Sequence, residues 1–232
     1  VEQFLTIGHR GVMGVEPENT LRSFARAEQE GLDLVELDLH LSKDGALVVM
    51  HDAEVDRTTD GSGAIAALTL AELRALDAGQ GERVPVFEEA LDTITGPLQA
   101  EIKDVAAARS LAEVLNRRGL VERVEVISFH DEALAETARL VPGVRTCLVA
   151  SHFGADVVER ATAVGAMGLV LNIRRITLET VELARKAGLR VTAWTVNTRE
   201  KLALARALGL DGVTTDYPEI LREVRRARGS EA

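Results

Sequence analysis

From Leu98 almost to the last residue, short apolar runs and helical stretches alternate without a break, and this rhythm constrains the fold most. Runs at 98–103, 124–129, 144–149, 167–171, 190–196 and 212–215 read as strands. Helical spacing fills 106–118, 132–140, 155–164, 178–187, 201–208 and 220–228, and Gly188 and Gly209 stop two of these helices. Upstream, 4–8 and 34–41 read as strands around a helix that Asn19 or Thr20 caps and Gly31 ends. Strand–helix alternation with short loops builds a parallel sheet. About eight strands over this length favour a closed (β/α)8 TIM barrel. The alternative is an open doubly wound sheet, whose nucleotide-binding form is weakened by the missing Gly-x-Gly-x-x-Gly turn after the first strand.

The strand at 34–41 carries the unusual chemistry. Side chains two apart share a face, so Leu34, Glu36, Asp38 and His40 point one way and Val35, Leu37, Leu39 and Leu41 the other. The second set suits covering helices. The first places two carboxylates side by side in an apolar strand, which is costly without a counter-charge. Either that face is an exposed edge, or a hard cation with oxygen ligands neutralises it. Ser42-Lys43-Asp44-Gly45 is a turn, 46–50 another apolar strand, and His51-Asp52 follows it. The irregular stretch of about 52–85, with a capping box from Thr69 to Glu72, reads as a short insertion after the second strand. Residues 1–232 are therefore expected to form one barrel domain.

In a parallel barrel the active site gathers at the carboxyl ends of the strands. Those ends supply His9 and Arg10, then Glu36, Asp38 and His40, then His51, Asp52 and Arg57 at the start of the insertion. Further on they supply Glu101 and Lys103, Ser128 and His130, Trp194, Thr195 and Asn197, and Thr214, Thr215 and Asp216. Three carboxylates (Glu36, Asp38, Glu101) suit a cation, two histidines (His9, His51) suit proton transfer, and Arg10 and Lys103 suit an anion. Glu18 is placed to order the first loop through Arg10 or to favour a helix N-terminus. His40 either lies above the cation or caps the barrel mouth, and Trp194 either lines the cleft or fills the core. Arg222, Arg225, Arg226 and Arg228 read as a solvated face of the last helix.

Composition narrows the partners. A net charge of −10 disfavours nucleic acid and anionic lipid surfaces, and no apolar run is long enough to span a bilayer. The lone Cys147 excludes an internal disulfide framework, and no Cys/His spacing suggests zinc. Residues 1–7 lack a basic region leading into a long apolar run, so the expectation is a cytoplasmic protein acting on a small molecule.

His9-Arg10-Gly11, Pro17-Glu18-Asn19-Thr20, Glu36-Leu37-Asp38, His51-Asp52 and Glu101-Ile102-Lys103 stand in an order and spacing that resembles the glycerophosphodiester phosphodiesterase domain. The Trp194 region and Asp211-Gly212 through Asp216-Tyr217-Pro218 extend that resemblance over nearly the whole chain. It implies a barrel that hydrolyses glycerophosphodiesters such as glycerophosphocholine or glycerophosphoethanolamine to sn-glycerol 3-phosphate and an alcohol. By position, Glu36, Asp38 and Glu101 take the family's divalent-metal role, for Mg²⁺ or Ca²⁺. His9 and His51 take its acid–base role, and Arg10 and Lys103 lie around the phosphate, with Trp194 a candidate wall of the substrate cleft. Two other readings are a lipid-directed phosphodiesterase of the same fold and a non-catalytic barrel that binds a phosphodiester. The first needs an apolar ramp that is not evident, the second a degraded motif that is not found.

Overall fold

The sheet closes because its first strand has two parallel neighbours. In a computed structural model that describes residues 3–229, β1 (Leu5–Gly8) pairs with both β2 (Leu34–Leu41) and β9 (Gly212–Thr215). Between them run β4 (Leu98–Ile102), β5 (Val124–Ser128), β6 (Arg145–Ala150), β7 (Gly168–Asn172) and β8 (Arg190–Trp194), each parallel to the next. These strands form a closed eight-stranded parallel barrel, the (β/α)8 TIM architecture, and the open-sheet alternative is set aside. The remaining strand, β3 (Leu47–Val49), pairs antiparallel with β2 outside the closed ring. The turn after β2 is too short for a crossover, so this strand can only fold back.

The outer layer is α1 (Leu21–Gln29), α3 (Phe87–Thr93), α4 (Ala107–Arg118), α5 (Asp131–Leu140), α6 (Ala155–Ala163), α7 (Leu178–Lys186), α8 (Arg199–Ala207) and α9 (Arg222–Gly229). Val35, Leu37 and Leu39 pack with Phe24, Phe87 and Leu111 in one continuous apolar shell between strands and helices. Thr20, not Asn19, caps α1 by accepting from the Ser23 N–H. The segment expected as an insertion holds the short α2 (Leu70–Arg74), whose Thr69–Glu72 capping box forms as read. It has its own small apolar cluster, with Val55, Ile65, Leu73 and Val84 packed on Val48 of β3. Pro218 opens a tight turn through Leu221 before α9, so the last helix starts later than its apolar spacing predicts.

The reading of the terminal arginines as a solvated face is corrected for Arg225, whose side chain is 15% exposed, while that of Arg222 stays exposed. Arg225 donates to the Glu30 carbonyl and, with Arg222, converges on the Glu30 carboxylate at the end of α1, fastening the last helix to the first. The side chains of Arg226 and Arg228, and residues 230–232, lie outside the described residues.

Inside the barrel the side chains form two zones. Toward the amino ends of the strands, Glu125 is 1% exposed and accepts from Gln99 Nε2 at 2.6 Å and from Arg190. Toward the carboxyl ends, Ile127, Cys147, Val149 and Val170 make an apolar floor under Phe129 and Trp194. Removing one partner of a buried ion pair strands the other charge. Glu125→Ala is therefore expected to cost about 3–5 kcal/mol. In a chain of this length that lowers Tm by roughly 6–20 °C. Replacing Glu125 and Arg190 together by leucine should recover most of the loss, since neither desolvated charge then remains. Thermal unfolding of the three proteins checks this, and a single variant within about 1 kcal/mol of the parent contradicts it.

Candidate active site

The turn after β1 builds one side of the site. Gly11 sits at φ +82, and a Cβ there would fall 2.2 Å from Ser23 Oγ, so the chain can bend back over α1 only with glycine. The bend brings the Arg10 N–H to Glu36 Oε2 at 2.9 Å. It also sets the Arg10 guanidinium between Glu18 Oε1 at 2.8 Å and Asp38 Oδ2 at 3.3 Å. Glu18 thus orders the loop through Arg10, one of the two roles its position allowed. Asn19, freed from capping and held at φ +56, donates to Asp38 Oδ2 at 2.8 Å.

β2 and β4 supply the acidic wall. Their parallel register puts Asp38 beside Glu101 and Glu36 beside Gln99. The strand parity read from sequence therefore holds: Glu36, Asp38 and Glu101 are all buried, with one oxygen of each within 4.8 Å of the others. Burial and the neighbouring carboxylates, Asp38 first, push Glu101 up to about 7 and hold Glu36 well above the usual carboxylate range. Burial also opposes ionisation of Asp38, but Lys103 and Arg10 outweigh it and keep that carboxyl low. Lys103 reaches Glu101 at 2.8 Å and Asp38 at 3.6 Å, with its ammonium 5.8 Å from the centre of the Phe129 ring. Asp38 Oδ1 is buried and has no hydrogen-bond partner. Clustered carboxylates of this kind, one with a buried oxygen that accepts no hydrogen bond, fit a hard divalent cation.

The two histidines face this wall, and each is braced from behind. His9 Nδ1 lies 2.6 Å from Asp216 Oδ1, and Asn197 Nδ2 holds the other Asp216 oxygen at 2.5 Å. His51 Nδ1 lies 2.6 Å from Asp52 Oδ1. An ionised carboxylate can only accept, so Nδ1 carries the proton in both rings and Nε2 is the free nitrogen. Arg57 ties Asp52 to Glu18 with bonds of 2.6–3.1 Å, forming a chain Arg10–Glu18–Arg57–Asp52–His51 across the mouth. Those bonds, Arg57 foremost, hold Asp52 far below the ordinary carboxylate range. Burial lowers the His51 pKa, with Lys103 and Arg10 adding to it against Asp38 and Asp52. His40 does not face the carboxylates as an additional ligand; its Nε2 donates to the His51 carbonyl at 3.0 Å and pins that residue's backbone.

A cavity of about 110 Å³ joins these groups, with His9, Arg10, Glu36, His51, Glu101 and Lys103 on its walls. Trp194 lines it too, edge-on to Phe129 at 6.0 Å, its indole N–H donating to the Val170 carbonyl. Of the residues singled out from the strand ends, His9, Arg10, Glu36, His51, Glu101, Lys103, Trp194 and Thr214 line this one space, whereas Ser128 donates to the Ile102 carbonyl and Thr195 and Asn197 line a neighbouring cleft. Five contributors were not assigned their roles from sequence: Asp216, Asn197, Asp52, Arg57 and Asn19. Asp52 had a local signal, adjacency to His51; Asp216 had its place at a strand end and in the Asp216-Tyr217-Pro218 motif.

The glycerophosphoryl diester phosphodiesterase family model matches residues 9–117 and 97–220 of the chain. The chain belongs to that family. It is accordingly a phosphoric diester hydrolase. A glycerophosphodiester phosphodiesterase of Caldanaerobacter subterraneus subsp. tengcongensis is 34% identical over 240 residues, covering 97% of this chain and 99% of that protein. One from Bacillus subtilis is 30% identical over 258 residues, covering 97% and 87%. Among solved structures, an Oleispira antarctica phosphodiesterase in complex with the product sn-glycerol-3-phosphate superposes with a TM-score of 0.87. It is 31% identical, covering 95% of this chain and 96% of its own. A Thermotoga maritima glycerophosphodiester phosphodiesterase superposes at 0.84 with 27% identity, covering 97% and 100%. No helix among the described residues is long and apolar enough to cross a membrane.

Proposed function

We propose that this phosphodiesterase hydrolyses glycerophosphodiesters to sn-glycerol 3-phosphate and an alcohol, with a divalent cation, Mg²⁺ or Ca²⁺, held by Glu36, Asp38 and Glu101. The observation that carries this reading is the pair of carboxylate-braced histidines, each with a free Nε2, on one cavity with a buried three-carboxylate cluster. When bound, the cation neutralises charge on the phosphate as it develops. Arg10 and Lys103 orient the diester through its non-bridging oxygens. One Nε2 takes a proton from the nucleophile, water or the neighbouring glycerol hydroxyl, and the other histidine, as imidazolium, gives one to the departing alkoxide; where the hydroxyl attacks, water then opens the cyclic phosphate with the two histidines exchanging roles. Asp216 and Asp52 hold each ring in the tautomer this exchange needs and stabilise its protonated form. Trp194 and the apolar floor keep the reacting end of the substrate away from bulk water. Residues 1–232 act in this reading as one barrel domain, the stretch 52–85 being an insertion that supplies Asp52 and Arg57.

The direct test is release of sn-glycerol 3-phosphate from glycerophosphocholine and glycerophosphoethanolamine, with lysophosphatidylcholine in parallel. Release from the water-soluble diesters is expected. Turnover of the lysolipid alone would transfer the assignment to a lipid-directed enzyme, and binding without turnover of any diester would leave a binding barrel.

A further inference from the structure

Beside the cavity, a second cleft of about 290 Å³ opens between the loops that follow β7, β8 and β9. Asn172, Arg174, Trp194, Asn197, Lys201 and Asp216 line it. It adjoins the first cavity at Trp194, which lines both spaces, and Asp216 on its wall is the brace of His9. A diester whose phosphorus sits among Glu36, Arg10 and Lys103 therefore has this cleft as an outlet on its His9 side.

The charge of the cleft is unbalanced. Its carboxylate, Asp216, spends one oxygen on His9 and the other on Asn197. Neither the Arg174 nor the Lys201 side chain makes a hydrogen bond or ion pair among the described residues. Lys201 is nonetheless half-buried. Its stem packs on the cleft wall and leaves the ammonium, like the Arg174 guanidinium, free to pair with an anion that enters. A cationic head group placed there meets two like charges instead.

We propose that this cleft receives an anionic group, carboxylate or phosphate, carried by the leaving alcohol, and that Arg174 and Lys201 make the enzyme prefer such diesters. The proposal rests on the reading of the reaction given above and adds the class of head group to it. It involves no new covalent step; the two cations bind the alcohol's anion before and during the same hydrolysis.

Two substrate pairs isolate the effect. Glycerophosphoserine and glycerophosphoethanolamine differ by one carboxylate, and glycerophosphoinositol 4-phosphate and glycerophosphoinositol by one phosphate. The anionic member of at least one pair is expected to show kcat/KM about tenfold higher, the scale of a hydrogen bond to a charged group. The ratio should fall to about one in the Arg174→Ala/Lys201→Ala double variant. Preference within the serine pair alone identifies a carboxylate site, and within the inositol pair alone a phosphate site. No preference in the wild type, or a preference that survives the double variant, overturns the proposal. The same ratios measured as binding of the intact diesters to the His51→Ala protein separate the two levels of inference. If no diester is turned over, the reaction assignment fails, and a binding preference that the double variant abolishes still sustains the cleft. Equal binding of both members of each pair refutes the cleft whatever the turnover.

Discussion

Replacing His51 by alanine is expected to lower kcat by about 10²–10⁴-fold, the usual contribution of a positioned acid or base, while the barrel stays folded. His51 is 32% exposed on its side chain and stands outside the apolar clusters, so its removal should change stability by no more than about 1 kcal/mol. His9→Ala should lose activity on the same scale, because its Nε2 faces the same cavity from the β1 side. Arg57→Ala gives a graded control. It leaves both imidazoles in place but releases Asp52 from its clamp, so the His51 ring loses orientation. A loss on the order of tenfold, mainly in kcat, is expected. Arg57→Lys should restore only part of it, since an ammonium cannot bridge Asp52 and Glu18 with a planar fork. Steady-state kinetics on glycerophosphocholine with circular dichroism of each variant measures all of this. Full activity in His51→Ala would remove it from the reaction.

The contrast between His51 and Arg57 also shows which parts of the site a sequence can disclose. Glu36 and Asp38 were legible because a strand's period of two is local and needs no knowledge of the partner strand. Glu101 and Lys103 follow by the same parity. The brace on His9 is of another kind: Asp216 lies 207 positions away and meets it only because the barrel closes β1 onto β9. Asn19 and Thr20 both have cap chemistry, Asn the better, yet Thr20 caps the helix while Asn19 donates to Asp38. Likewise Arg225 is indistinguishable in sequence from a solvated arginine until α9 lies against the end of α1. The pattern of the alternating elements gave the barrel, and closure gave the partners.

Removing divalent cations is expected to abolish turnover, and restoring Mg²⁺ or Ca²⁺ to recover it, with a thermal shift whose pH dependence reports on the carboxylate cluster. At a cation concentration about 100 times Kd, binding to the native state contributes about 2.7 kcal/mol. For a chain of this length that is a rise in Tm of roughly 5–10 °C. The sign of the pH effect follows from the metal-free site. Glu101 titrates at about 7 and Glu36 lies well above its ordinary value, so between about pH 4.5 and 7 the folded state holds protons that the unfolded chain has released. The contribution of these two carboxylates to the stability of the metal-free protein therefore falls as pH rises through that window, because burial and mutual repulsion penalise each one as it ionises. Cation binding acts in the opposite sense: it requires the ionised carboxylates and displaces their protons, so affinity strengthens as pH rises. Because the cation stabilises the native state through its affinity alone, the cation-induced rise in Tm is larger at about pH 8 than at about pH 5.5. Differential scanning calorimetry of chelated and cation-loaded protein at the two pH values reads the difference directly. A shift of equal size at both would mean that the cation binds elsewhere, because only a site made of these raised carboxylates must exchange protons for metal.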